Sequence, residues 1–284
     1  MSIIVGFIVV LAAVLGGYVL SHGEMAALWQ PYELLIIGGA AIGAFIISNP
    51  SKVTFDTFKQ LPTLFSGKKY NKMFYLELLS LLYQLFNLVR REGFIAIEKH
   101  IDSPQDSELF TRFPVICEDS HAVTFICDYL RLMVIGDMTS YELENLMEVE
   151  LETHHHEKSA PFHALTKVAD ALPGFGIVAA VLGIVITMQS LGGPPEIIGV
   201  HVAAALVGTF LGILLAYGFV SPVANAMEYS VAEESKFYEC IKVCLLASIN
   251  GMPPQIAVEF GRKTLYSEVR PDFYELEDCV KGLR

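Results

Sequence analysis

Ionisable and hydroxyl side chains in or beside apolar runs are the first places to look for chemistry in this 284-residue sequence. Four apolar runs stand out: Ile3–Leu20, Tyr32–Ser48, Ala171–Leu191 and Ile197–Val220. Glu33, at the outer edge of the second run, is the one Asp or Glu inside them, and His201 sits near the start of the fourth. Intramembrane ionisable groups mark ion pathways and proton relays. A chain this poor in them is a weak ion carrier alone, so any ion transport requires a partner to supply the carboxylate. Thr209 offers a hydroxyl in the fourth run; it either bonds back to its own helix carbonyl or faces a wet pathway. His154, His155 and His156 resemble a metal site, but adjacent helical residues diverge by about 100° and cannot converge on one ion. There is no Walker A loop, GxSxG elbow or HExxH, so neither enzyme chemistry nor a cofactor is expected.

Small residues fill the third and fourth runs. Gly176, Ala180 and Gly183 fall near one helical face; Ala204, Gly208 and Gly212 form a second series. Such faces let helices approach closely in lipid. They serve either packing among the four spans or a lining around a partner's helix, and the two are compatible. Pro173 and Pro222 stand at matching depths, at the ends of these runs facing the long loop. Each removes a backbone donor and can kink a helix. Arg90, Arg91 and Glu98 flank Gly93; their spacing alone gives them no role beyond a solvated surface.

Elements that position these residues follow from composition. The chain is 53% hydrophobic with a mean hydropathy of +0.49, which points to a membrane protein. A net charge of −12 argues against a nucleic-acid partner, because phosphate binding needs clustered Lys and Arg. All 19 Lys and Arg lie in two blocks, Lys52–Lys167 and Lys236–Arg284, and none lies in Ser21–Pro31 or Gly192–Glu196. By the positive-inside rule both blocks are cytoplasmic, the short turns are outside and both termini are inside. Ile3–Leu20 lacks a basic leader and reads as a retained span. The five Cys contain no CxxC pair and read as free cytoplasmic thiols.

The fold class expected is all-α: a polytopic membrane protein with four transmembrane helices and a helical cytoplasmic domain. Its parts are residues 1–49 (spans one and two), 50–170 (the cytoplasmic domain), 171–221 (spans three and four) and 222–284 (the tail). Asn71–Arg91, closed by Gly93, predicts a helix apolar almost all round, packed on several neighbours or touching the membrane surface. Thr139 and Glu142 predict a capping box opening an acidic, solvated helix Ser140–Lys158. The tail reads as helical to about Ile249, where Pro253 and Pro254 break it.

The run Ala205-Leu206-Val207-Gly208-Thr209-Phe210-Leu211-Gly212-Ile213-Leu214, with Pro222 after seven more residues, resembles the signature of the MotA family of flagellar motor stator subunits. Pro173–Gly183 is similar to that family's third span, and Arg90-Arg91-Glu92-Gly93 with Glu98 to its rotor-facing segment. The topology agrees along the whole chain. The resemblance implies an inner-membrane homo-oligomer, a ring of five around two helices of a one-span MotB-type partner, each bringing a membrane Asp. It implies rotor engagement with the protein FliG through Arg90 and Glu98, and a relay to the cytoplasmic domain through Pro173 and Pro222. Thr209 matches a residue near the ion path. Ala180, where sodium-driven relatives tend to carry Thr, suggests protons rather than sodium. Gly176, Gly183, Gly208 and Gly212 then line the partner and ion path. The alternative is a related ExbB/TolQ-type energiser of an outer-membrane process, whose members usually have three spans and an external N-terminus.

Overall fold

The computed structural model describes residues 2–65, 67 and 69–282. In chain order its α-helices are α1 (Ser2–Leu20), α2 (Met25–Leu28), α3 (Pro31–Ser48), α4 (Ser51–Gln60), α5 (Lys72–Glu92), α6 (Glu98–Asp102), α7 (Pro114–Cys117), α8 (Ser120–Ile135), α9 (Ser140–Gln189), α10 (Pro195–Ile213), α11 (Ser221–Ile249), α12 (Pro254–Thr264) and α13 (Phe273–Lys281). No strand occurs among the described residues. The chain forms two compact units: Met1–Gly67 with Lys158–Ser230, and Lys68–Glu157 with Val231–Arg284. The two units divide between Glu157 and Lys158, and the tail beyond Ser230 joins the loop in one unit.

The first unit carries apolar helices long enough to cross a membrane: α1, the α2–α3 stretch, and the helices containing the third and fourth apolar runs. Its core is small, built on Ile37, Ala41, Leu172, Ala179 and Ala216. Much of the rest is apolar and outward-facing, including Ile8, Leu35, Ile47, Val181 and Leu206. Helices suit such surroundings because they satisfy their own backbone groups. α1 has few contacts with the other helices, among them Phe7 on Phe219, with ring centroids 5.0 Å apart.

Two helices run further than hydropathy suggests. The capping box opens α9 as expected: the Thr139 backbone N–H donates to Glu142 at 2.8 Å, and the Glu142 N–H to the Thr139 hydroxyl at 3.3 Å. The helix does not stop at Lys158. It continues for 50 residues through Pro161 and Pro173 into the third apolar run. An interior proline costs a helix roughly 3 kcal/mol, but packing can override propensity, and Pro161, Phe162, Ala164, Ala169 and Leu172 are all buried along this stretch. The fourth run ends differently. Between α10 and α11 the segment Leu214–Val220 is π-helical, and the Ser221 N–H reaches back five residues to the Ala216 carbonyl. Pro222 follows directly. Its ring would crowd the carbonyl four residues back and it has no N–H to give; one wider turn relieves both problems.

The second unit has a conventional core. α5 buries twelve residues between Phe74 and Phe86, so its all-round apolarity is explained by packing on several neighbours. Asn71 caps its start by accepting from the Phe74 N–H at 3.0 Å, and Gly93, at φ 87°, ends it. Gly136 closes α8 in the left-handed conformation at φ 79°. α12 packs against α5 and α13 docks beside it. Arg262 locks this corner: it is buried, holds Glu259 through Nε at 2.6 Å, and donates through Nη1 to the Pro271 carbonyl at 2.8 Å. Pro254 opens α12 at a position where its missing N–H is harmless.

Candidate functional site

The third and fourth apolar runs meet through glycines, and the contact is backbone to backbone. A Cβ on Gly176 would lie 3.0 Å from the Gly208 carbonyl oxygen and 3.1 Å from the Gly212 Cα. One on Gly212 would meet the Gly176 Cα and the Leu172 carbonyl oxygen, each at 2.8 Å. Higher up, a Cβ on Gly183 would press on Ala205 at 2.8 Å. The four glycines are buried and hold α9 against α10 within one chain. Ala180 and Thr209 sit at the rim of this contact, half-exposed. Thr187, a turn further on, donates its hydroxyl to the Gly183 carbonyl at 2.8 Å, the ordinary fate of a span Thr. Thr209 makes no such bond among the described residues, and its hydroxyl stays available at the rim.

Glu33 lies deeper among the helices than its place in the sequence suggests. It is in the first turn of α3, at the edge of its own apolar run. Gly208, however, is the residue whose added Cβ would lie 3.5 Å from the Glu33 Cγ, and 3.3 Å from the Ala180 nitrogen. Gly208 stands thirteen residues into α10, about 20 Å along its axis. Glu33 thus sits at the level of Ala180 and Thr209. It is buried, and its Oε2 has no hydrogen-bond partner. Sequence alone missed this because the stagger between α3 and α10 is a tertiary property.

Pro173 lies within unbroken α9, and Pro222 follows the π-helical turn. The structure adds Pro161, unremarked in the sequence, as a third helix-interior proline. At the other end of the α9 run, the Ser190 hydroxyl and His201 Nδ1 lie 3.2 Å apart.

In the second unit, Arg90 occupies the last turn of α5 and Glu98 opens α6, on the two sides of the Gly93 turn; both are exposed. Beside them is an open groove of about 460 Å³ lined by Leu88, Glu92, Ile95, Ala96, Glu98, Lys99, His100 and Asp102. Ile95 is 79% exposed at its edge, an apolar knob among charges. Burial and then Lys99 hold the His100 imidazole below its usual range, and its Nδ1 lies 2.8 Å from the Ser107 hydroxyl. The three consecutive histidines diverge: His154 pairs with Glu234 at 3.1 Å, His155 with Ser235 at 3.0 Å, and His156 lies 3.8 Å from Glu152. His154 also packs on His121 and Tyr238, whose phenol burial pushes up.

A membrane protein with four candidate spans, a glycine-closed helix pair and a separate helical unit bearing an exposed charged turn is the class defined by this geometry. The sequence pattern described as motility protein A N-terminal matches residues 4–93, and that of the MotA/TolQ/ExbB proton channel family matches residues 119–240. Motility protein A of Salmonella typhimurium is 49% identical over 284 residues, covering 100% of this chain and 96% of that one, and the Escherichia coli protein gives the same values. Chemotaxis protein LafT of Vibrio parahaemolyticus is 42% identical over 272 residues, covering 96% and 95%. The chain belongs to the motility protein A family. Its fold matches a chain of C. jejuni MotAB with a TM-score of 0.77 at 19% identity, covering 94% and 96%. It also matches a chain of the flagellar MotAB stator complex from Bacillus subtilis, with a TM-score of 0.76 at 24% identity, covering 95% and 98%.

Proposed function

We propose that this chain is a stator subunit of a flagellar motor that forms an ion channel with a MotB-type one-span partner, and that ion flow drives torque on the rotor. What supports the reading most is the α9–α10 pair: glycines close it backbone to backbone and leave Ala180 and the unbonded Thr209 at one rim. A partner helix bringing a carboxylate to that rim would find an alanine and a hydroxyl. In this reading the ion is a proton, the copies form a ring of five around the partner helices, and the membrane is the bacterial inner membrane with both chain ends inside. The exposed turn carrying Arg90 and Glu98 engages the rotor protein FliG. Pro173 and Pro222 transmit the change. Protonation of the partner carboxylate removes a charge that is costly against apolar helices. Each proton driven by ~100 mV contributes about 2.3 kcal/mol, comparable to a few polar contacts, so small repeated steps are expected.

Charge reversal at Arg90 and Glu98 tests the rotor assignment. The variants should insert and bind the partner normally while torque in tethered cells falls; undiminished torque in the double reversal would sink that assignment. Replacement of the partner's membrane carboxylate should abolish proton flux and rotation together, and rotation that survives it would end the channel reading.

A further inference from the structure

The bundle carries a buried carboxyl of its own. Glu33 keeps only 9% of its exposure, and its Oε2 is buried without a hydrogen-bond partner. A carboxyl in the first turn of a helix ordinarily accepts from the orphan N–H groups there. This oxygen does not, so capping α3 is not what holds it. The side chain instead lies against the hollow at Gly208, where the neighbouring atoms belong to Ala179 and Ala180. Among the described residues, α9 and α10 bring no second carboxyl to this hollow. Besides Glu33, the titratable groups on α10 and on α2 and α3 packed with it are His201, seven residues earlier on α10 and paired with Ser190, Glu196 at the start of that helix, the exposed Tyr32 beside Glu33 on α3, and the exposed Glu24 at the start of α2. On α9 the run Ala171–Gln189 has none. A membrane carboxyl left without a partner is expensive to keep and marks ion chemistry.

We propose that Glu33 is a proton-accepting site of this chain, at the level of Ala180 and Thr209, that takes protons from the outer side and passes them to the partner's carboxylate. The step is a pure proton transfer. An O–H bond forms on the Glu33 carboxylate as one breaks in outer water, and that proton then leaves for the partner carboxylate with no change of oxidation state. Glycine at 208 keeps the hollow open; an added Cβ there would press on Ala179 at 3.1 Å and come into ordinary contact with the Glu33 stem at 3.5 Å. The proposal rests on the stator reading above and deepens it: the subunit holds a proton-collecting site that feeds the partner's carboxylate, beside the route by which outer water reaches that carboxylate directly. A collecting site of this kind sets how well the motor gathers protons when they are scarce, and its loss need not abolish rotation because outer water still delivers protons to the partner carboxylate.

The test is a pH profile of rotation, with the full chain produced beside its one-span partner and the amount of complex in the membrane measured in parallel. Glu33→Gln keeps the shape but cannot take up a proton. Rotation should stay within about twofold of the unaltered chain at an external pH of about 6 and fall at least about fivefold at about pH 8, where uptake is starved. Glu33→Asp keeps a carboxyl on a shorter stem and should rotate at both pH values with a displaced midpoint. An equal fractional loss at both pH values in either variant, or no loss in Glu33→Gln, overturns the proposal and leaves Glu33 a packing residue. If Glu33→Gln does not accumulate in the membrane, the Glu33→Asp profile decides on the same criterion. Failure of the unaltered pair to rotate on a proton gradient would overturn the stator reading itself, an outcome separate from any behaviour of the variants.

Discussion

Gly212→Ala is a single methyl placed where the two central helices touch, and its cost can be worked from the geometry. The added Cβ would stand 2.8 Å from both the Gly176 Cα and the Leu172 carbonyl oxygen, against an ordinary contact of 3.4 Å or more. Both obstacles are backbone, so no rotamer relieves them, and α9 and α10 must part by about 0.6 Å or more at this level. Overpacking of this kind costs about 1–3 kcal/mol. Alanine's better helix propensity returns up to about 1 kcal/mol. The control is Gly199→Ala on the same helix, where an added Cβ meets nothing within 4 Å; it keeps the propensity gain without the clash. The two variants should therefore differ by roughly 1–3 kcal/mol. Reversible unfolding of the purified chain in mixed micelles measures that difference directly, and pairing Gly212→Ala with Gly176→Ala should be non-additive because the two sites share one contact. Equal stability of Gly212→Ala and Gly199→Ala, within about 0.5 kcal/mol, would refute the close backbone approach.

Two further outcomes are expected of the second unit. Arg262→Met leaves the Pro271 carbonyl and a half-buried Glu259 without their donor, so thermal or urea unfolding of this unit should show a loss of about 1.5–3 kcal/mol; an unchanged midpoint would contradict the lock. The Lys72 ammonium, 2.6 Å away, together with the Asp272 cap, holds the Glu275 carboxyl below its ordinary range. The stability it lends is present above the ordinary carboxylate range, about pH 4.3, and lost as pH falls through its lower folded value. Lys72→Gln should flatten that acid limb in a pH-dependent unfolding series, and an unaltered limb would show that the pair is spectator charge.

Much of this fold was legible because its strongest signal is length of apolar run. The spans, the Thr139–Glu142 cap, the Asn71 start and Gly93 end of α5, and the exposure of Arg90 and Glu98 all rest on local chemistry, and local reading reached them. Four features rest on tertiary terms and were missed or mis-set. α9 passes through Pro161 and Pro173 because packing outweighs a local propensity penalty. The level of Glu33 depends on the stagger of α3 against α10, which no periodicity encodes. The small-residue series of α9 and α10 could be read as contact faces, but not as facing each other; only the positions of Leu172, Ala179 and Ala205 against them decide that. The groove beside Ile95 escaped for the same reason, since it is made by the turn after α5 rather than by any one segment.

The π-helical turn before Pro222 has a consequence for how sequences of this kind can change. A wide turn holds one residue more than the α-helix around it needs, so it behaves as an accommodated insertion. Deleting one residue within Leu214–Val220 would return the segment to ordinary α-helical phase, and the residues on either side would keep their faces. The extra residue is tolerable because Pro222 sits just beyond it, and the proline because the turn is wide. The two should therefore be gained and lost together. A chain that drops the residue but keeps the proline would have to kink, and one that keeps the residue but loses the proline would be free to let the bulge migrate along the helix.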